Sequence, residues 1–351
     1  MAQPSDGIEP VPSSRGVTLN DVATAAGVTL GTASKALNGR GKLSAETRER
    51  VRTEAKRLGF RFRELKQEEA SSSGLLIGVL TTDIYGRFSL PLLTSIEDSF
   101  GSIPISAVLC TSRDQEREQQ HIDLLLSRGV DGIIVTARRE DVRQPINVGR
   151  TPVPVVYAFT QVADANALCI LPDEIQGTRL AIEHLIQTGR RRFAHITGPS
   201  YFEAVRLREQ SMRQVLAEHD LRLSEHQALS GPWQESWGYT AARYLFDQDS
   251  SIDAIFCGSD QLARGACDAL RERGIRVPED VAVVGYDNWE PIACASRPTL
   301  TTIDMNFAQI GRYAGESLQA LIAGEVRSGV VRLPCSLIVR ESSIANEAER
   351  R

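Results

Sequence analysis

Hydrophobic positions follow two different habits along this chain. Near its start, in "VTLNDVATAAGVTLGTASKALNGRG", they recur at helical spacing. Leu19, Val22, Ala23 and Ala26 share one face, and Ala33, Ala36 and Leu37 share another. Thr18 can cap the first helix, with Asp21 completing a capping box, and Gly27 supplies the left-handed residue that ends it. Thr29 is placed to cap the second helix and Ser44 a third, whose buried side is Val51, Ala55 and Leu58 before Gly59 stops it. Small alanines at the contact let two short helices cross closely, as a helix-turn-helix requires. About 45 residues make a headpiece too small to be the whole protein.

From Leu75 the pattern changes to short continuous aliphatic runs: "LLIGVL" (75–80), "ISAVLC" (105–110), "GIIV" (132–135), "VPVVYA" (153–158), "FAHIT" (193–197), "DAIFCG" (253–258) and "VAVVGYD" (281–287). Amphipathic helical segments such as "QEREQQHIDLLLSRG" lie between them. Uninterrupted Val/Ile/Leu strands alternating with helices predict parallel sheets covered on both faces. The pattern runs in two phases, before and after about residue 173, which predicts two doubly wound lobes. Small molecules bind such sheets in the crevice beyond the strand C-termini.

Charge sharpens this picture. Residues 15–63 carry a net +7, whereas the rest of the chain carries −12, for a total of −5. A basic end on an acidic body is what a nucleic-acid contact confined to one end needs, although a solvated charged third helix would also supply those arginines. The chain of 351 residues is 42% hydrophobic and 24% charged, with no apolar run near the ~20 residues of a membrane span. Its opening, "MAQPSDGIEPVPSSRG", lacks a basic and apolar export signal and reads as a disordered leader, so the expected compartment is the cytoplasm. Six scattered cysteines suit buried free thiols rather than a metal, and no cofactor is expected. No GxSxG, GxxxxGK[ST] or HExxH occurs and the five histidines do not cluster, which argues against an enzyme and names no catalytic residue.

The ordered segments "TLNDVATAAGVTLGTASKALNG", "VDGIIV", "GTRLAIEHLIQTGRRRFAHITGP", "RLREQSMRQVL", "SDQLARGACDALRERGIRVPEDVAVVGYDN" and "RPTLTTID" resemble the LacI/GalR family of transcription regulators, from Val17 to about Arg340. The resemblance implies an all-α helix-turn-helix headpiece and an α/β two-lobed core like that of periplasmic binding proteins. It also implies a homodimer that binds operator DNA and whose affinity is altered by a small, sugar-like effector. The implied layout is a leader (1–15), headpiece (16–61), hinge (62–74) and core (75–345). Lobe one comprises about 75–172 plus 304–329, and lobe two about 173–303 plus 330–345.

By position in the family, Leu30, Gly31 and Lys35 match base-reading places, while Thr32, Ser34 and Asn38 match backbone-orienting ones. Thr18 is counted with these, and Arg40, Lys42 and Arg48 suit phosphates, which position without specifying. Lys35 can donate to guanine and Leu30 can meet a thymine methyl, or Leu30 can simply pack within the headpiece. The hinge departs from the family: "GFRFRELKQEEASSSG" has no Pro-Asn, Glu69 stands near the expected minor-groove leucine, and Leu65 fits only with a shifted register.

For the effector, Arg208 matches the family arginine that holds hydroxyls or a carboxylate, and Asp287 matches the acid that accepts two vicinal hydroxyls. Trp233 matches an aromatic that lies against the ligand. Asp83, Arg87, Phe88 and Ser89 follow the first strand, and Ser259 and Asp260 follow another; Asp260 suits a helix cap better than a ligand contact. Phe159 stands where the family often has aspartate, which makes the pocket less polar and leaves an aromatic glycoside or a non-sugar effector open. Activator and repressor are not separable from the residues. The tail "RESSIANEAERR" lacks a leucine heptad, so no tetramer is expected.

Overall fold

The computed structural model describes residues 19–37, 43–58, 74–149, 151 and 153–344. The chain divides into two compact units between Gly74 and Leu75.

In the first unit, α1 (Leu19–Ala25), α2 (Leu30–Leu37) and α3 (Ala45–Arg57) enclose a core of Val22, Ala23, Ala26, Ala33, Ala36, Leu37, Val51 and Ala55. Gly27 takes φ +66° after α1, the left-handed position its sequence place demands. The Thr29 hydroxyl accepts from the Thr32 amide at 3.2 Å, and the Ser44 hydroxyl accepts from Thr47 at 3.2 Å, so both act as caps. Thr18, Gly59 and the hinge segment with Leu65 and Glu69 lie outside the described residues.

The second unit holds two six-stranded sheets. Its first sheet has the order β13-β7-β5-β3-β1-β2, built from β1 (Leu75–Thr81), β2 (Ile105–Thr111), β3 (Gly132–Thr136), β5 (Val155–Ala158), β7 (Leu168–Pro172) and β13 (Gly329–Leu333). All its pairings are parallel. A small ribbon, β4 (Val142–Arg143) with β6 (Gln161–Val162), lies apart from it. Helices α4 (Ser89–Ser99), α5 (Gln115–Ser127) and α11 (Phe307–Ile322) belong to this lobe.

The second sheet has the order β14-β12-β11-β10-β8-β9. It contains β8 (Phe193–Thr197), β9 (Ala228–Ser230), β10 (Ala254–Cys257), β11 (Ala282–Tyr286), β12 (Thr301–Asp304) and β14 (Ser336–Ile338). Only β14 is antiparallel, at the edge against β12. Around it lie α6 (Glu174–Gln187), α7 (Glu203–Glu218), α8 (Glu235–Gln248), α9 (Asp260–Glu272) and the short α10 (Glu290–Ala293).

The chain therefore passes between the sheets three times, after β7, after β12 and after β13. The last passage differs from the expected one at residue 330. Residues 329–333 pair with β7 in register from Gly329–Leu168 to Leu333–Pro172, so lobe one keeps them and the crossing falls between Leu333 and Ser336. β3, β8, β10 and β11 are buried throughout, and β1 and β5 are buried beyond their first residues; they are apolar for most of their length, the mark of a central parallel strand. One buried apolar cluster runs from Ile77, Val79 and Ile134 in lobe one through Phe159, Met305 and Phe307 to Tyr286, Val284 and Phe256 in lobe two. The six cysteines are free, and Cys294 is the exposed one. No helix among the described residues is long and apolar enough to cross a membrane.

Candidate functional site

In the headpiece, burying Ala33, Ala36 and Leu37 turns the opposite face of α2 outward. Leu30 is 51% exposed, which decides against a packing role for it, and Gly31 and Lys35 are exposed beside it. Thr32 and Ser34 are half-buried at the edges of that face, with the Thr32 hydroxyl 2.9 Å from that of Thr29. Arg48 lies on the outer side of α3. Asn38, Arg40 and Lys42 lie outside the described residues, as does Thr18.

In the second unit a cavity of about 440 Å³ opens between the lobes, at the C-terminal ends of β1, β3, β5, β8, β10 and β11. The helices that follow these strands leave their N-terminal residues at its rim, as a doubly wound sheet dictates. Asp83, Arg87, Phe88, Phe159, Arg208, Trp233, Ser259 and Asp287 all line it. Ser89 does not: it is fully buried, and its amide and hydroxyl both donate to Asp83 Oδ2 at 3.0 and 3.1 Å. Asp83 also accepts from the Phe88 and Tyr85 amides, so its carboxylate is spent capping the start of α4 and only its edge faces the cavity.

The two strongest ligand-holding candidates are already engaged. Arg208, 4% exposed, donates Nε and Nη2 to Glu174 at 2.5 and 2.9 Å and Nη1 to the Gly258 carbonyl at 2.7 Å. Its guanidinium also lies 3.6 Å from the centre of the Tyr286 ring. Asp287 pairs with Arg87, which reaches it across the cleft from the other lobe and donates to Gln261 at 3.0 Å as well. The Arg87 guanidinium rests 4.4 Å from the Trp289 ring centre. Asp287 sits at φ +102° and Phe159 at φ +57°. Such left-handed non-glycine residues collect at functional sites, held there by the packing around them.

Aromatic rings wall both sides. Phe88 and Phe159 form a cluster with Phe307 on lobe one, with centroids 4.8–5.4 Å apart. On lobe two, Phe202 and Trp233 lie parallel, 6.5 Å between centroids. The indole of Trp233 occupies the space a side chain on Gly198 would fill, since a Cβ there would stand 2.1 Å from it. The loop Arg138–Asp141 bridges the lobes: Asp141 accepts from the Glu203 amide at 3.0 Å, and Arg139 stacks on Phe202 at 4.7 Å.

Ser259, not Asp260, caps α9, accepting from the Leu262 amide at 3.3 Å. The Asp260 carboxyl instead holds the Trp289 amide at 2.6 Å and the Thr302 hydroxyl at 2.5 Å, fixing the loop that carries Asp287 and Trp289. The cap expected at Asp260 thus falls at Ser259, because only tertiary neighbours distinguish two adjacent oxygen-bearing residues.

Comparison with known proteins follows the same division. Residues 18–61 match the lacI family of bacterial regulatory proteins, and residues 182–343 match a periplasmic binding protein-like domain. The lactose operon repressor of Escherichia coli (strain K12) is 30% identical over 94% of this chain and 91% of its own length. The chain belongs to the LacI family of bacterial regulatory proteins. The HTH-type transcriptional regulator CelR of Thermobifida fusca is 31% identical, over 93% of this chain and 98% of its own. Among solved structures, the lac repressor dimer bound to operator and the anti-inducer ONPF superposes with a TM-score of 0.65 at 28% identity, over 94% of this chain and 100% of that one. A CelR–cellobiose complex gives 0.65 at 28% identity, over 93% and 100%. The chain is thus a DNA-binding transcription regulator.

Within this LacI-family core, residue-by-residue reading missed Glu140, Glu174, Phe202, Gln261, Trp289 and Met305. Glu140, Gln261 and Trp289 each follow a strand end, the place where the sheet topology puts a ligand, and that signal alone could have found them. Glu174 opens α6 and reads in sequence as an ordinary first-turn acid.

Burial, then the Asp287 charge, pushes the Asp260 carboxyl up to about 8. A carboxyl raised on folding stabilises the fold below its unfolded value, and that contribution is lost as pH rises through the folded value. Thermal stability is therefore expected to fall as pH rises from about 4 to about 8, and D260N should flatten that slope. A wild-type curve that is flat or rises over this range would place Asp260 in its ionised form.

Proposed function

We propose that two copies of this chain bind a pseudo-palindromic operator and repress transcription, and that a small sugar-like effector in the inter-lobe cavity changes operator affinity. The observation that carries the reading is the cavity itself. It lies where two lobes meet, it is walled by rings from both, and its polar groups come from both. A ligand there gains contacts that depend on how far the lobes close, which is the differential affinity a switch requires. About tenfold in operator affinity lies within the ordinary range of such couplings. The relatives support the sign and the effector class, being a lactose operon repressor and a regulator solved with cellobiose. The pairing is supported by the lac repressor dimer seen on its operator, and one headpiece alone reads too few base pairs for useful specificity. The chain works in the cytoplasm and carries no catalytic role in this reading.

The base-reading residue is Lys35, exposed on α2 beside Leu30 and Gly31. Lys35→Ala should weaken the specific complex by about 1–3 kcal/mol and relax base preference at one position of each half-site. Titration of the operator, found by selection from random duplexes, against a scrambled duplex provides the measurement. Equal losses for both would assign Lys35 to phosphate. Raised rather than lowered promoter output on operator occupancy would make the chain an activator and leave the DNA reading standing.

A further inference from the structure

Glu140 ends the strand-β3 loop on lobe one and meets Glu174 across the lobe boundary, lining the cavity with 4% of its surface exposed. The two carboxyls are close enough to share a proton, and two buried carboxylates side by side favour holding one. Both oxygens of Glu174 already accept from Arg208, so Glu174 is the charged member and Glu140 the acid that donates to it. Burial first, then the Glu174 charge and hydrogen bond, raises Glu140 well above the usual carboxyl range, against the opposing charges of Arg208 and Arg332. Burial alone would raise Glu174 too, but the Arg208 charge and its hydrogen bonds outweigh that and leave it lowered. With one Glu140 oxygen committed as donor, the other remains a carbonyl-type acceptor at the cavity, and Glu140 receives no hydrogen bond from an N–H or hydroxyl among the described residues. Arg87 Nε is likewise a buried donor without a partner there.

We propose that Glu140 is an effector-recognition residue that acts as a neutral acid, taking a hydrogen bond from a hydroxyl of an uncharged ligand. The inference rests on the effector reading above and narrows it. Each inner arginine has its carboxylate, Arg208 with Glu174 and Arg87 with Asp287, so a carboxylate or phosphate deep in the cavity finds no uncompensated positive charge, and the arginines left over, Arg138 and Arg139, are exposed at its rim. It would also face the Glu140 acceptor, and an unpaired buried charge is far costlier than an unpaired hydroxyl. A hydroxyl can donate to Glu140 or accept from the Arg87 N–H, so hydroxyls suit the two spare groups. The arginine expected to hold hydroxyls or a carboxylate is thus made by Glu174 part of a neutral wall.

The test uses full-length wild type, E140Q and E140L with phenyl β-D-glucoside, cellobiose, phenyl β-D-glucuronide and glucosamine, read by thermal shift and titration calorimetry. Infrared spectra of the three ligand-free proteins accompany it. At least one neutral sugar should bind wild type and E140Q within about twofold of each other, since glutamine keeps both the donor and the acceptor. E140L should bind it about tenfold more weakly, the worth of one buried hydrogen bond. The protonated-carboxyl band of the wild type should lose one component in E140Q. Preference for the glucuronide or glucosamine, failure of every neutral sugar, loss of binding in E140Q, or an unchanged infrared band would each overturn the assignment. If E140L does not fold, E140Q and the spectra decide alone. An anionic effector that still shifted operator affinity would refute only this assignment, whereas failure to bind any duplex would refute the regulator reading and leave the spectra to decide Glu140.

Discussion

Glu174→Ala is expected to destabilise the core by about 3–5 kcal/mol, although the residue contacts neither DNA nor, directly, a ligand. Glu174 is fully buried and receives two hydrogen bonds from Arg208, itself 4% exposed. Removing it takes away the carboxylate that receives two of its hydrogen bonds and leaves the buried guanidinium on the Gly258 carbonyl, the Met305 sulfur and the Tyr286 ring. Arg208→Ala should cost less. The stranded Glu174, with the Arg208 charge gone, can take up a proton of its own, and neutralisation relieves it. The double variant should lose well under the sum of the two single losses, because neither charge is then left alone. Urea unfolding of the four proteins measures this cycle. Additive losses, or a Glu174→Ala loss below about 1 kcal/mol, would mean that water reaches the pair. The result also governs how ligand experiments are read: a silent effector response in Arg208→Ala reports a disturbed lobe as much as a lost contact, so D287N is the cleaner probe of the ligand side.

The headpiece was legible because each of its signals is local. Ala33, Ala36 and Leu37 are spaced by one turn, and Thr29 and Ser44 stand one residue before their helices. The central strands were legible for a similar reason, since a strand buried on both faces must be apolar throughout. Edge strands have no such rule. β13 alternates half-buried and exposed residues through "GVVRL", which reads as easily as a loop, and its place in lobe one comes only from pairing with β7. The site was legible at its corners and not in its wiring. Arg208 and Asp287 stood out by type and position, but their partners lie 34 and 200 residues away in sequence, and nothing local announces either pair. The misreading of Ser89 has one cause: residues after a strand end serve the following helix before they serve a ligand, and Ser89 donates to Asp83, which caps α4 at the cavity edge.

A single methyl group at Gly265 is expected to cost about 3 kcal/mol or more, although alanine is the better helix former by about 1 kcal/mol. Helices α8 and α9 cross backbone to backbone. A Cβ on Gly265 would stand 2.0 Å from the Glu235 carbonyl oxygen and 2.8 Å from the Tyr239 nitrogen, and one on Gly238 would stand 2.2 Å from the Leu262 carbonyl oxygen. Each glycine thus faces main chain of the other helix, which cannot rotate away as a side chain can. Around the crossing, Ala241, Ala242, Ala266 and Ala269 are buried, so the helices can separate only by opening the lobe-two core. The consequence reaches the cavity because α9 begins there. Ser259 caps it, Asp260 holds the Trp289 amide, and Gln261 meets Arg87 from the opposite lobe. Displacing α9 should therefore weaken ligand binding and loosen the Asp287–Trp289 loop together, whereas Asp268→Ala, on the outer side of the same helix, should stay within about 0.5 kcal/mol of wild type. Thermal melts of Gly265→Ala and Asp268→Ala, with calorimetry of any ligand that binds wild type, make the comparison. Gly265→Ala melting within a degree or two of wild type would mean the two helices lie further apart than this crossing, and the link from helix packing to the cavity would fall with it.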